Sequence, residues 1–185
     1  MAIIVVGGSN KGVGKTALVC GLIAAMPEFC WTAVKITAHE HGKPESIWEE
    51  TELGQGSDTA RYLTAGAARA FLMTAAECDI PILLSEFAAK SGPGANVIFE
   101  SNRILEYLRP EVCLMVSGGA KDAESKHSFS LAAGCADAMV ARMELDRVLL
   151  EASESRPSFH LAELERVSPE MLVWLGSKLS QAPRF

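Results

Sequence analysis

Residues 2–16 read AIIVVGGSNKGVGKT. The first six, Ala2 to Gly7, form a continuous apolar run, as expected of a strand buried on both faces of a parallel sheet. A glycine-rich turn follows it. Thr16 to Ala25 then reads as a helix, and Pro27 closes it. A buried strand, a glycine-rich turn and a helix in immediate succession place backbone N–H groups and a helix N-terminus around one point, which favours an anion there.

The rest of the chain extends this pattern. WTAVKIT (31–37), ARAFLMT (68–74), NVIFES (96–101), EVCLMVS (111–117), DAMVARM (137–143) and SFHLAE (158–163) read as further strands. DIPILLSEFAAKSG (79–92) reads as a helix instead. Ile80, Leu83, Leu84, Phe87 and Ala88 share one face, Asp79 can cap the start, Pro81 suits the first turn and Gly92 can end it. SNRILEYL (101–108) forms a short helix, and SPEMLVWLGSKLSQ (168–181) a closing helix capped by Ser168. Strands alternating with helices predict an α/β protein: a doubly wound, mostly parallel sheet in a three-layer α/β/α sandwich, with ligands at the carboxyl ends of the strands. Residues 39–57 read as one long connection, whose Glu45, Glu49, Glu50 and Glu52 form a solvated acidic face.

A length of 185 residues suits one domain, 1–185, with a core that needs no disulfide or metal staple. The net charge of -6 argues against nucleic-acid and anionic-membrane partners. Five cysteines without a C-x-x-C pair are expected to be reduced and packed in the core of a cytoplasmic protein. The N-terminus lacks a signal peptide's basic region, and no apolar stretch approaches the ~20 residues of a membrane span.

The phosphate-binding P-loop pattern is G-x-x-x-x-G-K-[ST]. Gly14, Lys15 and Thr16 fill its last three positions, and Ser9 stands where its first glycine would be. Ser9, Asn10, Lys11, Gly12, Val13, Gly14, Lys15, Thr16 and Ala17 are therefore expected to surround the phosphates of GTP or ATP. Lys15 would bridge the β- and γ-phosphates, and the Thr16 hydroxyl would bind Mg²⁺. Such a site also needs a carboxylate at the end of a neighbouring strand. Glu100 ends the run NVIF and is the expected metal-side acid, whereas Glu86 falls on the 79–92 helix. Lys35 can neutralise phosphate or substrate charge. Asp58 can hold Mg²⁺ through water, accept a proton, or only cap the helix that carries Arg61, and Arg61 can reach phosphate or Asp58. His39 and His41 can bind a metal or a phosphate or serve as polar loop residues. Lys126 and His127 follow the fifth strand, where proteins of this class read the base, and the guanine motif N-K-x-D is absent from the chain.

Lys35-Ile36-Thr37-Ala38-His39-Glu40-His41, followed by Asp58-Thr59-Ala60-Arg61-Tyr62-Leu63-Thr64-Ala65-Gly66-Ala67, resembles the molybdopterin-guanine dinucleotide biosynthesis protein B (MobB) family. That family has a lysine after strand two, histidines beyond it, D-[ST]-x-R-[HY]-x-x-A-G-A, and a glutamate ending a later strand, here Glu100. The resemblance runs over roughly residues 2–117. It implies a GTP-binding P-loop NTPase of the SIMIBI class, a homodimer with weak GTPase activity. Such a protein assists attachment of GMP to molybdopterin beside a nucleotidyltransferase partner. It also implies that Lys15 and Thr16 hold phosphate and Mg²⁺, that Glu100 is the strand-end acid, and that Asp58 and Arg61 lie near the crevice.

The loop is equally similar to that of dethiobiotin synthetase. An ATP-dependent kinase or ligase, and a metallochaperone-type nucleotide switch, therefore stand beside the first reading.

Overall fold

A computed structural model of the protein describes residues 1–38, 46–118, 132–141 and 156–181. Strands β1 (Ile3–Gly8), β2 (Thr32–Ala38), β3 (Ser46–Glu50), β4 (Arg69–Ala75), β5 (Val97–Glu100), β6 (Val112–Ser117), β7 (Ala138–Ala141) and β8 (Ser158–His160) form one sheet. Their order is β3-β4-β2-β5-β1-β6-β7-β8. Every pairing is parallel except that of β3 with β4. Helices α1 (Lys15–Ala25), α2 (Asp58–Thr64), α3 (Ile80–Ser91) and α4 (Pro169–Gln181) are among those the described residues form.

The layers follow from alternation along the strands. Ile4 and Val6 of β1 pack in a core with Leu18, Leu22 and Ile23 of α1, Tyr62 of α2, and Met171 and Leu175 of α4. Val5 points the other way, into a core built from Phe71, Met73, Phe99 and the α3 residues Ile80, Leu83 and Phe87. Edge-to-face contacts of Phe87 with Phe71 and Phe99, 5.4 and 5.7 Å between centroids, fasten α3 to the sheet. A sheet buried on both faces accounts for the continuous apolar runs of β1 and β6. The expected three-layer α/β/α architecture is the one observed.

The helical reading of 79–92 holds, which leaves Glu86 on a helix surface and Glu100 at a strand end. Asp79 stands at the cap position without a side-chain cap bond, whereas Ser168 accepts from the Met171 N–H at 3.3 Å. The 101–108 segment narrows to a 3-10 turn over Arg103–Glu106.

Residues 39–57 are not one connection, because β3 lies within them as the antiparallel edge strand. It carries three glutamate or serine residues among five, and Trp48 is half exposed, so it lacks the apolar alternation of an inner strand. The acidic face also divides. Glu49 pairs with Arg69 at 2.6 and 2.8 Å, and Glu52 is exposed. Glu50 is buried, accepting from the Ser57 and Thr59 hydroxyls (2.8 and 3.0 Å) and from the Thr51 and Glu52 N–H groups (3.1 Å each). Burial opposes its charge, but these donors outweigh it and hold the carboxyl below its ordinary value. Glu45, His39, His41, Lys126 and His127 lie outside the described residues. Of the cysteines, Cys20 and Cys113 are buried as expected. Cys30, Cys78 and Cys135 are exposed, a correction to the all-core reading.

Candidate functional site

The Gly8–Thr16 loop leaves the carboxyl end of β1 and returns as α1. Its root is fixed from two sides. The Asn102 side chain accepts from the Gly8 N–H (2.8 Å) and donates to the Gly8 carbonyl (3.0 Å), and the Ser9 N–H donates to the Val116 carbonyl (3.0 Å). Gly12 and Gly14 turn the chain through left-handed conformations, with φ of 83° and 105°. A Cβ on Gly14 would stand 2.2 Å from Leu164 Cδ1, so that position is closed to a side chain twice over. Lys15 Nζ donates to the Asn10 carbonyl at 2.8 Å. Gly14 gives α1 no side-chain cap, and a helix start carries the N–H groups and positive dipole end that favour an anion. Ser9 is buried, Lys11 is exposed, and Val13 turns onto the core.

Opposite the loop stands a network of side chains. The parallel register of β2 with β5 sets Lys35 beside Glu100, and Lys35 Nζ reaches Glu100 Oε1 at 2.9 Å. The same ammonium bonds Asp58 at the start of α2. Glu100 Oε2 accepts from the Thr16 hydroxyl at 2.7 Å, and also from the Tyr62 hydroxyl. Ser57, not Asp58, caps α2, accepting from the Ala60 N–H at 3.0 Å, which leaves Asp58 to face Lys35. Arg61 reaches Glu165 at 2.9 Å and stands 3.7 Å from Asp58.

Burial works against the charge on Lys35, but Glu100 and Asp58 outweigh it and raise the pKa above the ordinary lysine value. Burial and the Glu100 charge push Tyr62 well above the ordinary tyrosine value, so its hydroxyl stays a donor. Cys20 lies nearby, with burial raising its thiol to about 11, which disfavours the thiolate a nucleophile needs.

The two halves enclose a cavity of about 830 Å³. It is lined by Gly8 to Gly12, Gly14 to Ala17, Lys35 to Ala38, Asp58, Arg61 and Glu100 to Arg103. Among the described residues, every expected site residue except Val13 contributes to it. Tyr62, Asn102 and Arg103 were missing from the expectation. Tyr62 could have been found as the aromatic position of the D-T-x-R-Y stretch. Nothing local marks the other two.

Across solved structures, HypB from Helicobacter pylori in complex with nickel is similar over all of this chain and 92% of that one, with a TM-score of 0.54 at 14% identity. The chain has the P-loop NTPase fold. A MobB protein homolog from Bacillus stearothermophilus is similar over 98% of this chain and 100% of that one (TM-score 0.48, 14% identity). LpxK from Aquifex aeolicus in complex with ATP is similar over 85% of this chain and 53% of that one (TM-score 0.49, 17% identity). No protein-family model and no curated protein matches the sequence. Among the described residues, no helix is long and apolar enough to cross a membrane.

Proposed function

We propose that this chain binds a nucleoside triphosphate with Mg²⁺ and hydrolyses it slowly, as a GTP-dependent accessory protein of the MobB kind. The observation that carries the nucleotide reading is the 2.7 Å bond between Thr16 and Glu100. It joins the end of the P-loop to a carboxylate on another strand, 84 residues away in sequence. A hydroxyl and a carboxylate are the hard oxygen donors Mg²⁺ prefers, and two such ligands leave room for water and phosphate oxygens.

In this reading the Ser9–Thr16 backbone and the Lys15 ammonium bind the β- and γ-phosphates, with Asn10, Lys11 and Ala17 around them. Thr16 and Glu100 hold Mg²⁺, which when bound neutralises charge on the phosphate oxygens. Lys35 sets a fixed positive charge on the γ-phosphate side, held by Asp58 and Glu100. Asp58 orients a water for in-line attack, and Arg61 steadies Asp58. The protein's contribution is positioning and charge, as in phosphoryl transfer generally.

The MobB-like part rests on the D-T-x-R-Y stretch, since Asp58, Arg61 and Tyr62 all converge on the network. It brings with it a homodimer and a nucleotidyltransferase partner acting on molybdopterin. Calorimetric titration with GTP and ATP analogues in Mg²⁺ tests the proposal. GTP binding that falls about a hundredfold or more in Lys15→Ala is expected, from loss of charge-assisted bonds to phosphate. A preference for ATP would replace the accessory role with an ATP-dependent kinase or ligase. Absence of binding to either would remove the nucleotide reading.

A further inference from the structure

The cations of the cavity are not equally committed. Lys35 is held by two carboxylates, and Arg61 by Glu165 with Asp58 nearby. Lys11 and Lys15 belong to the phosphate loop. Arg103 differs from all of these. It lines the same cavity from the turn that follows β5. Its Nη1 donates to the carbonyl of Ala75, the last residue of β4, at 3.1 Å. Its Nη2 is buried without a hydrogen-bond partner, and no carboxylate among the described residues pairs with it.

The sheet order makes this position informative. β2 lies between β4 and β5, so a side chain that starts after β5 and bonds the end of β4 arches across the carboxyl end of β2. That is where Thr37 and Ala38 wall the cavity, beyond Lys35. An unpaired guanidinium donor without a counter-charge is costly, and a planar fork is matched by a phosphate or carboxylate.

We propose that Arg103 forms an oxyanion subsite at the carboxyl end of β2 that holds the phosphate or carboxylate group of a small acceptor molecule. This rests on the nucleotide reading only for what lies beside the subsite; the subsite itself is a property of Arg103. The acceptor would sit across the cavity from the P-loop.

The test is calorimetric titration with inorganic phosphate and, separately, with malonate. Each is run on protein saturated with Mg²⁺ and a non-hydrolysable nucleotide, and on Lys15→Ala protein, in which the phosphate loop is disabled. Binding of one or both anions is expected in both backgrounds. Arg103→Gln should weaken it about ten- to a hundredfold, the worth of charge-assisted bonds, and at least tenfold more than it weakens nucleotide binding. Arg103→Lys keeps the charge and loses the fork, so a smaller loss is expected, and it decides the matter if Arg103→Gln does not fold. Which anion binds tells a phosphorylated acceptor from a carboxylate one. Binding of neither anion, or affinities that both substitutions leave unmoved, would overturn the subsite. A merely structural Arg103 would lower melting temperature and leave anion and nucleotide affinities falling together. Failure of the nucleotide reading would show separately, as absence of nucleotide binding in wild-type protein, with the Lys15→Ala arm still deciding the subsite.

Discussion

The two walls of the cavity are built in opposite ways. The P-loop wall is made by backbone: left-handed Gly12 and Gly14 and the helix start at Lys15 follow one another in sequence, on a root that Asn102 and Val116 pin from outside. The facing wall is made by side chains from β2 and α2 that meet Glu100 of β5, with sequence separations of 65 and 38 residues. The first wall is a local motif. The second exists only once β2 and β5 pair in register. Local backbone geometry tolerates change elsewhere in the fold, whereas a network of charges fails as a unit.

Glu100→Gln breaks the second wall most severely. It leaves Lys35 with one carboxylate in place of two, and should cost about 3 kcal/mol in urea denaturation, in the range for an interrupted buried ion pair. A Glu100→Gln, Lys35→Met double variant should lose less than the sum of the single losses. Strict additivity would mean that the wall is not a coupled unit.

Gly14→Ala probes the first wall. Strain at φ 105° and the clash with Leu164 together should cost about 2 kcal/mol. Phosphate affinity should fall while the Lys35–Glu100 network persists. An equal loss in a Lys35→Met background would confirm that the walls act independently.

Tyr62→Phe removes one donor from Glu100 and should cost about 1 kcal/mol by thermal unfolding. It leaves Thr16 and Lys35 on the carboxylate, so the loss should stay well below that of Glu100→Gln. A loss as large would make the tyrosine hydroxyl the network's centre.

The smallest effect concerns Glu50, which supports the start of α2 from behind. Its carboxyl is held below 4.5 in the folded protein. The stability it contributes is therefore complete above that value and is lost as pH falls through the lower, folded value. Glu50→Gln should lower the urea midpoint at pH 7, and the gap from wild type should narrow as pH falls below the ordinary glutamate value. A gap that stays constant with pH would show that the Glu50 charge has no part in holding α2.

The same contrast explains what could be read from sequence. The strand–loop–helix at 2–25 carries its meaning in consecutive residues, and the helical spacing of Ile80, Leu83 and Phe87 assigns 79–92 correctly. That assignment in turn selects Glu100 over Glu86 as the strand-end acid. β3 was hidden because an edge strand needs no apolar alternation, and Glu50 because its four donors come from residues folded around it. Asn102 and Arg103 act through the carbonyls of Gly8 and Ala75, partners that only the sheet order brings near. Ser57 took the cap that Asp58 was offered, and one residue's difference turned Asp58 from a structural group into part of the site.

The pairing of Lys35 with Glu100 across β2 and β5 also bears on how this chain can vary over time. Side chains alternate between the faces of a strand. Deleting or inserting one residue between Thr32 and Lys35 would send the lysine into the Phe71–Phe87–Phe99 layer and bring an apolar neighbour to the cavity. Point substitutions in β2 can drift so long as volume is kept, but its length cannot. Among sequences descended from a common ancestor with this one, gaps should collect in the turns on either side of β2 and be missing from the strand itself.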